Sequence, residues 1–207
     1  MADIQSRSDR KRADRIAHLE RVAAKLFAER GFEATGFEEI AMAVDLRGPS
    51  LYHYFPSKED LFLGCVRRSA AEVMTRLERI IEDLDDPVET LRVLFREQVL
   101  IEVRDYPEFV PLFLHLFLPV ASLQAEVLAL RRAHGEIFER AALHALGRSD
   151  GLSTQDRVRL EIAFGALAFL PSWYQPGRAL SPEALADEMA ERLVEVVLSG
   201  ASVGEHR

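Results

Sequence analysis

Leu51-Tyr52-His53-Tyr54-Phe55-Pro56-Ser57-Lys58-Glu59-Asp60-Leu61 is the stretch on which the reading of this chain turns. Pro56-Ser57 stops the helix before it, and Ser57 with Asp60 makes a capping box in which Asp stands for the usual Glu or Gln. A long helix opens there, with Leu61, Phe62, Cys65, Val73, Leu77 and Ile80 on one side. Upstream, a short helix is expected over Ser50 to Phe55, after a break at Val44-Asp45-Leu46-Arg47-Gly48. Before the break, Thr35 is positioned to cap another short helix containing Phe37, Ile40 and Ala41. Earlier still, Ile16, Leu19, Ala23, Leu26 and Phe27 form a buried helical stripe that Gly31 ends. Two short helices joined by a tight turn, inside a three-helix unit, make a helix-turn-helix. Its second helix must be short and exposed to enter a DNA major groove about 12 Å wide.

The rest of the composition sets limits. The chain has 207 residues, 48% hydrophobic and 29% charged, which excludes disorder over most of its length. The longest uncharged apolar run, Phe109 to Gln124, is shorter than the ~20 residues of a membrane span and holds two prolines. The opening MADIQSRSDRKRADR has no apolar core of a secretory signal. A single cysteine, Cys65, excludes a disulfide framework and a cysteine-ligated zinc site, so a cytoplasmic location is expected. The net charge of −8 argues against a protein that coats nucleic acid nonspecifically. It is unevenly spread: residues 1–60 carry a net −1 and residues 61–207 a net −7. From Leu46 to Lys58 there is no acid, while Arg47, His53 and Lys58 are present. A polyanion would therefore meet one acceptable face.

Helical patterning continues to the end. Asp85-Asp86-Pro87 opens a helix to about Arg104, Tyr106 to Leu118 is a proline-punctuated stretch, and Ser122 to about Leu146 is amphipathic. Ser153 or Thr154 caps a helix to about Tyr174, and Ser181-Pro182-Glu183 starts the last one. No sustained alternation marks a strand. The expected fold is all-α with about nine helices. An N-terminal arm and three-helix DNA-binding domain occupy residues 1–56, a helical ligand-binding and dimerisation domain 57–200, and a flexible tail 201–207.

Arg15-Ile16, Ala23-Ala24, Leu26-Phe27-Ala28-Glu29, Gly31-Phe32, Thr35, Ile40-Ala41 and Leu51 to Leu61 resemble, without a gap, the N-terminal domain of TetR-family transcriptional regulators. Where that family usually has Ala-Gly-Val-Ser in the turn, this chain has Val44-Asp45-Leu46-Arg47. Asp tolerates a left-handed backbone, so the turn survives. Pro49 in the first turn of the recognition helix is also tolerated. The resemblance, with the chemistry of the side chains, implies phosphate contacts from Thr35, Tyr52, Tyr54 and Lys58. Arg47, Ser50 and His53 are the candidates to reach base edges, and Arg7, Arg10 and Lys11 form an arm for the minor groove or backbone. Tyr54 and Phe55 have an equally simple reading as core.

The remaining helices carry no catalytic or phosphate-binding motif, and His115, His134 and His144 lack the i, i+4 spacing of metal ligands. No enzyme activity, cofactor or metal is expected. Phe109, Phe113 and Phe117 repeat every fourth residue beside prolines 107, 111 and 119, a distorted apolar helix of the kind that borders a cavity. With Phe62, Tyr106, Phe138, Phe164 and Trp173 they are the candidate lining of an apolar ligand pocket, located among the helices by the TetR resemblance. Ile162 to Tyr174 holds no charge, and a helix apolar all round must be buried all round. Phe169 and Leu170, with Leu185, Met189, Leu193 and Val196 of the last helix, are the candidate dimer interface.

Trp173-Tyr174-Gln175-Pro176-Gly177 and Leu180-Ser181-Pro182-Glu183 resemble the ending of the KstR-like TetR subclass, which implies an acyl-CoA thioester as effector. Arg104, Arg131, Arg132 and Arg140 are the available partners for its phosphates. The expectation is a homodimeric, ligand-responsive repressor on a palindromic double-stranded DNA operator, with no membrane partner. The alternatives are a TetR-like sensor of aromatic or cationic drugs and a small-molecule carrier without DNA binding.

Overall fold

The computed structural model describes residues 7–114, 120–175, 177 and 180–199, without the side chains of Ser8, Phe109 and Leu114. Among these there are nine α-helices and no strand: α1 (Arg7–Arg30), α2 (Phe37–Ala43), α3 (Gly48–Leu51), α4 (Lys58–Asp83), α5 (Pro87–Leu100), α6 (Phe109–Leu114), α7 (Ala121–Ala145), α8 (Thr154–Trp173) and α9 (Pro182–Leu198). A π-helical turn, Ile101–Asp105, continues α5, with the Tyr106 N–H donating to the Ile101 carbonyl at 2.8 Å.

Local chemistry sets most of the boundaries. The Ser57 hydroxyl accepts from the Asp60 N–H at 3.0 Å and starts α4. Asp86 accepts from the N–H groups of Val88 and Glu89 ahead of Pro87. Ser153 and Asp156 cap each other reciprocally at the start of α8, and the Ser181 hydroxyl accepts from the Ala184 N–H at α9. Each such cap satisfies N–H groups that no helical carbonyl can reach.

Two boundaries depart from the sequence expectation. Gly36, not Thr35, is the residue ahead of α2, because the Thr35 hydroxyl donates to the Gly31 carbonyl at 2.7 Å and so closes the end of α1. The recognition helix covers Gly48–Leu51 rather than Ser50 to Phe55. The residue before Pro56 is driven out of the helical region, so Tyr52–Tyr54 finish as a turn, with the N–H groups of Tyr54 and Phe55 bonded to the Leu51 carbonyl.

The chain divides into two compact units. The first comprises Met1–Ser69 and Pro111–Leu128. Its centre is aromatic: Phe27 and Phe32 stack at 5.9 Å between ring centres, and Phe62 meets both edge-on at 5.2 Å. Leu19, Ala23, Ile40, Ala41, Leu51 and Leu61 complete a fully buried shell. The second unit comprises Ala70–Val110 and Ala129–Arg207. There α9 packs along α5 and α8. Leu91, Leu94, Phe95 and Val99 of α5 are buried, as are Leu185, Ala190, Leu193 and Val197 of α9. Arg92–Glu191, Arg96–Asp187 and Arg104–Glu183 pair at 2.6–2.8 Å along the antiparallel edge of this packing. Such exposed pairs fix register more than they add stability.

Within the first unit, Gly64 makes room for a buried charge. A Cβ there would lie 2.5 Å from Glu20 Oε1 and 3.2 Å from a Phe55 ring carbon. Glu20 is buried and paired with Arg68, so it cannot swing away freely. Gly64→Ala is therefore expected to destabilise the protein by ~1–3 kcal/mol, read as a lowered midpoint in urea unfolding. An unchanged midpoint would show that Glu20 relaxes at no cost.

Candidate functional site

The recognition segment is held from behind. Asp45 adopts φ +56°, the left-handed conformation the turn requires. Just before it, the Val44 carbonyl accepts from the Arg15 guanidinium at 3.1 Å. Arg12 reaches the His53 carbonyl at 3.4 Å and lies 5.3 Å from the centre of the Tyr54 ring. Tyr52 packs on Phe37 at 4.6 Å between ring centres, yet remains 57% exposed. Beneath them Leu51 and Phe55 are buried. Arg47, Pro49, Tyr52 and His53 are exposed on this segment, and no acid lies between Leu46 and Lys58. Such a surface offers a guanidinium, an imidazole and a phenol to a groove or a phosphate chain.

In the second unit a different arrangement stands out. Gln98, on α5, and Glu102, in the π turn, are buried with His134 of α7. The Gln98 side-chain N–H donates to Glu102 Oε1 at 2.8 Å, and His134 Nε2 lies 2.9 Å from Gln98 Oε1. Burial pushes the Glu102 carboxyl up to about 8, only partly opposed by the hydrogen bond from Gln98. Burial also pushes the His134 imidazole down to about 4. Phe138 and Phe164 flank the imidazole at 5.3 and 6.2 Å. Among the described residues no group of His, Cys, Asp and Glu is arranged to hold a metal ion.

Residues 21–65 match the family model for bacterial regulatory proteins of the tetR family. The repressor KstR2 of Mycobacterium tuberculosis is 36% identical over 81 residues, which are 39% of this chain and 40% of that one. The alignment therefore spans less than half of that relative. KstR2 of Rhodococcus jostii is 28% identical over 201 residues, 91% of this chain and 92% of its own. Among solved structures, AibR in complex with isovaleryl coenzyme A and operator DNA superposes with a TM-score of 0.73 at 24% identity, covering 88% of this chain and 97% of that one. The N-terminal segment thus matches the tetR family of bacterial regulatory proteins, and similarity to one of its repressors extends over most of the chain.

The residues proposed from sequence fall into distinct environments. Arg47, Tyr52 and His53 are exposed, and Ser50 and Tyr54 are half-buried. Thr35 is fully buried, with its hydroxyl engaged at the end of α1. The Lys58 ammonium donates to the carbonyls of Phe32 and Thr35 at 2.9 and 3.3 Å and sits 4.4 Å from the Phe32 ring centre. Its charge thus serves the loop before α2. Arg7, Arg10 and Lys11 are exposed on the first turns of α1, so this part of the arm is helical.

The proposed pocket residues are dispersed. Phe62 and Phe113 are buried in the first unit. Phe138 is buried in the second unit, Tyr106 and Phe164 are half-buried there, and Trp173 is 56% exposed. His115 and Phe117 lie outside the described residues, as do Pro176 and 200–207, and the Phe109 side chain is not described. Of the proposed interface residues, Phe169 is 72% exposed and Met189 and Val196 are half-buried, whereas Leu170, Leu185 and Leu193 are in the core of the second unit. Arg104 is taken up by Asp105 and Glu183, and Arg140 by Glu78.

Sequence reading missed the Arg12 and Arg15 clamps, which join residues far apart in the chain. It also missed the Gln98–Glu102–His134 cluster. One signal was present: Gln98 and Glu102 stand a helical turn apart around the apolar run Val99-Leu100-Ile101. The cluster has a pH signature. Unfolded Glu102 ionises near 4.5 and the folded residue near about 8, so its contribution to stability is complete below the first value and is lost as pH rises through the second. His134 acts oppositely, losing its contribution as pH falls from 6.5 towards about 4. Glu102→Gln should therefore gain on the wild type as pH rises from about 5 to about 8, measured as urea-unfolding midpoints. A difference independent of pH would mean that the carboxyl ionises normally in the fold.

Proposed function

We propose that this chain is an effector-responsive transcriptional repressor that binds a palindromic operator as a homodimer. The observation that carries the reading is the recognition segment itself: Arg47, Tyr52 and His53 are exposed on an acid-free stretch whose backbone is clamped by Arg12 and Arg15. Arg47 and His53 suit base edges, and the Tyr52 hydroxyl suits a phosphate. The −7 net charge of residues 61–207 limits DNA to this face. Repression is supported by the relationship to the KstR2 repressors.

A second copy of the chain is supported by α8. Val158, Ile162, Phe169 and Trp173 are 53–72% exposed and recur at helical spacing along one side. A twofold contact between such faces sets two recognition segments at a fixed separation, about 34–36 Å or a multiple of it. An effector acts by population shift. A preference of ~1–3 kcal/mol for the conformation with the wrong separation changes operator occupancy about 5–150-fold. A thioester effector is supported by the likeness to AibR, which was solved with isovaleryl coenzyme A.

Fluorescence anisotropy on a labelled palindromic operator tests the DNA contacts. Tyr52→Phe should weaken binding to all sequences alike, whereas Arg47→Ala should lose ~1–3 kcal/mol of discrimination between operator and scrambled DNA. Unchanged binding in both variants removes the segment from the interface. Separately, Phe169→Glu should convert a dimer to a monomer in sedimentation velocity. A variant that still sediments as a dimer assigns the contact to another face.

A further inference from the structure

Glu102 Oε2 is buried and has no hydrogen-bond partner among the described residues, although the other oxygen of the same carboxyl is bonded to Gln98. An unpaired buried oxygen costs stability, and one that persists in a folded protein calls for a reason. It lies in a π turn, a backbone form that recurs at functional sites. The direction of the hydrogen bonds says what the oxygen offers. Gln98 spends an N–H on Glu102 Oε1, which leaves its own oxygen to accept from His134 Nε2–H. Oε1 therefore accepts, and the proton of the neutral carboxyl resides on Oε2. The open end of the chain is a donor.

We propose that the Gln98–Glu102–His134 chain is a recognition subsite for the carbonyl oxygen of an uncharged ester, thioester or amide, which accepts a hydrogen bond from Glu102 Oε2. The aromatic neighbours suit the apolar remainder of such a molecule: Phe138 meets Phe95 and Phe164 at 5.3 Å, and both Phe138 and Phe164 neighbour His134. A cationic ligand would need an ionised carboxylate, and burial holds Glu102 protonated at neutral pH. A hydrocarbon would leave Oε2 unpaired. The subsite rests on the effector-responsive reading above and adds to it the chemistry of the group that is recognised.

Calorimetry on the full chain at neutral pH tests this with octanoyl-CoA, methyl octanoate and octyltrimethylammonium. The expected result is binding of one or both carbonyl compounds and a loss of about tenfold or more in Glu102→Leu, the scale of one neutral hydrogen bond. Glu102→Gln, whose amide still donates, should stay within about threefold of the wild type. Binding of octanoyl-CoA alone would assign the carbonyl to a CoA thioester, and binding of both to esters in general. The infrared carbonyl stretch of bound carbonyl-labelled methyl octanoate or octanoyl-CoA should move to lower frequency in the wild type and not in Glu102→Leu. Three results overturn the subsite: no binding of either carbonyl compound, equal binding by Glu102→Leu, or tighter binding of the ammonium compound that Glu102→Gln abolishes. Operator binding measured on the same samples separates the two readings. A chain that binds operator but no carbonyl compound loses the subsite and keeps the DNA reading. One that binds the carbonyl compounds without release of operator keeps the subsite and loses the coupling.

Discussion

A helix of four residues cannot hold itself. Nucleation fixes several residues for a single hydrogen bond, so an isolated segment as short as Gly48–Leu51 would be unfolded in water. Everything around the recognition segment supplies what it lacks. Leu51 and Phe55 anchor it in the core, Arg15 holds the turn before it, and Arg12 holds the turn after it. Glu20, Arg68 and Gly64 interlock behind Phe55. The same support leaves Arg47, Tyr52 and His53 free to point outward on a rigid backbone, so less ordering entropy is lost when a partner is bound.

The second unit solves a different problem. Its core is aliphatic and aromatic, and it nevertheless holds a carboxyl, an amide and an imidazole. Burial favours the neutral carboxyl and the neutral imidazole, and the hydrogen bonds among the three groups run in one direction. A network of this kind is costly unless every member is satisfied. The unpaired Glu102 oxygen is thus the most informative atom in the unit. The apolar side of α8 poses the equivalent question on the surface, where Phe169 is 72% and Trp173 56% exposed.

Much of this was legible beforehand because it is local. Capping by Ser57, Asp86, Ser153 and Ser181 depends on side chains within three residues of the N–H groups they satisfy. The left-handed turn residue at Asp45 follows from the same short-range sterics. Arg47 and His53 stand on the acid-free stretch that the sequence already marked, and both are exposed. Thr35 and Lys58 show where local reading stops. Both carry groups suited to phosphate, yet their hydroxyl and ammonium bond to carbonyls that only the folded chain brings near. Leu185 and Leu193 are a similar case, since an apolar stripe does not reveal whether it faces a second copy or, as here, the core that includes α5.

The all-helical class, the caps and the turn were legible from the residues alone, because periodicity, capping and turn chemistry act over a few residues, and the TetR-like segment was legible as a resemblance. Tertiary structure decided which polar groups are consumed and which are left over. Arg12 and Arg15 became clamps, Lys58 became a loop anchor, and Gln98, Glu102 and His134 became one chain of hydrogen bonds. The reason is distance: a guanidinium or carboxyl finds its partner across tens of residues of sequence, and burial then sets its charge. Neither quantity exists until the helices pack.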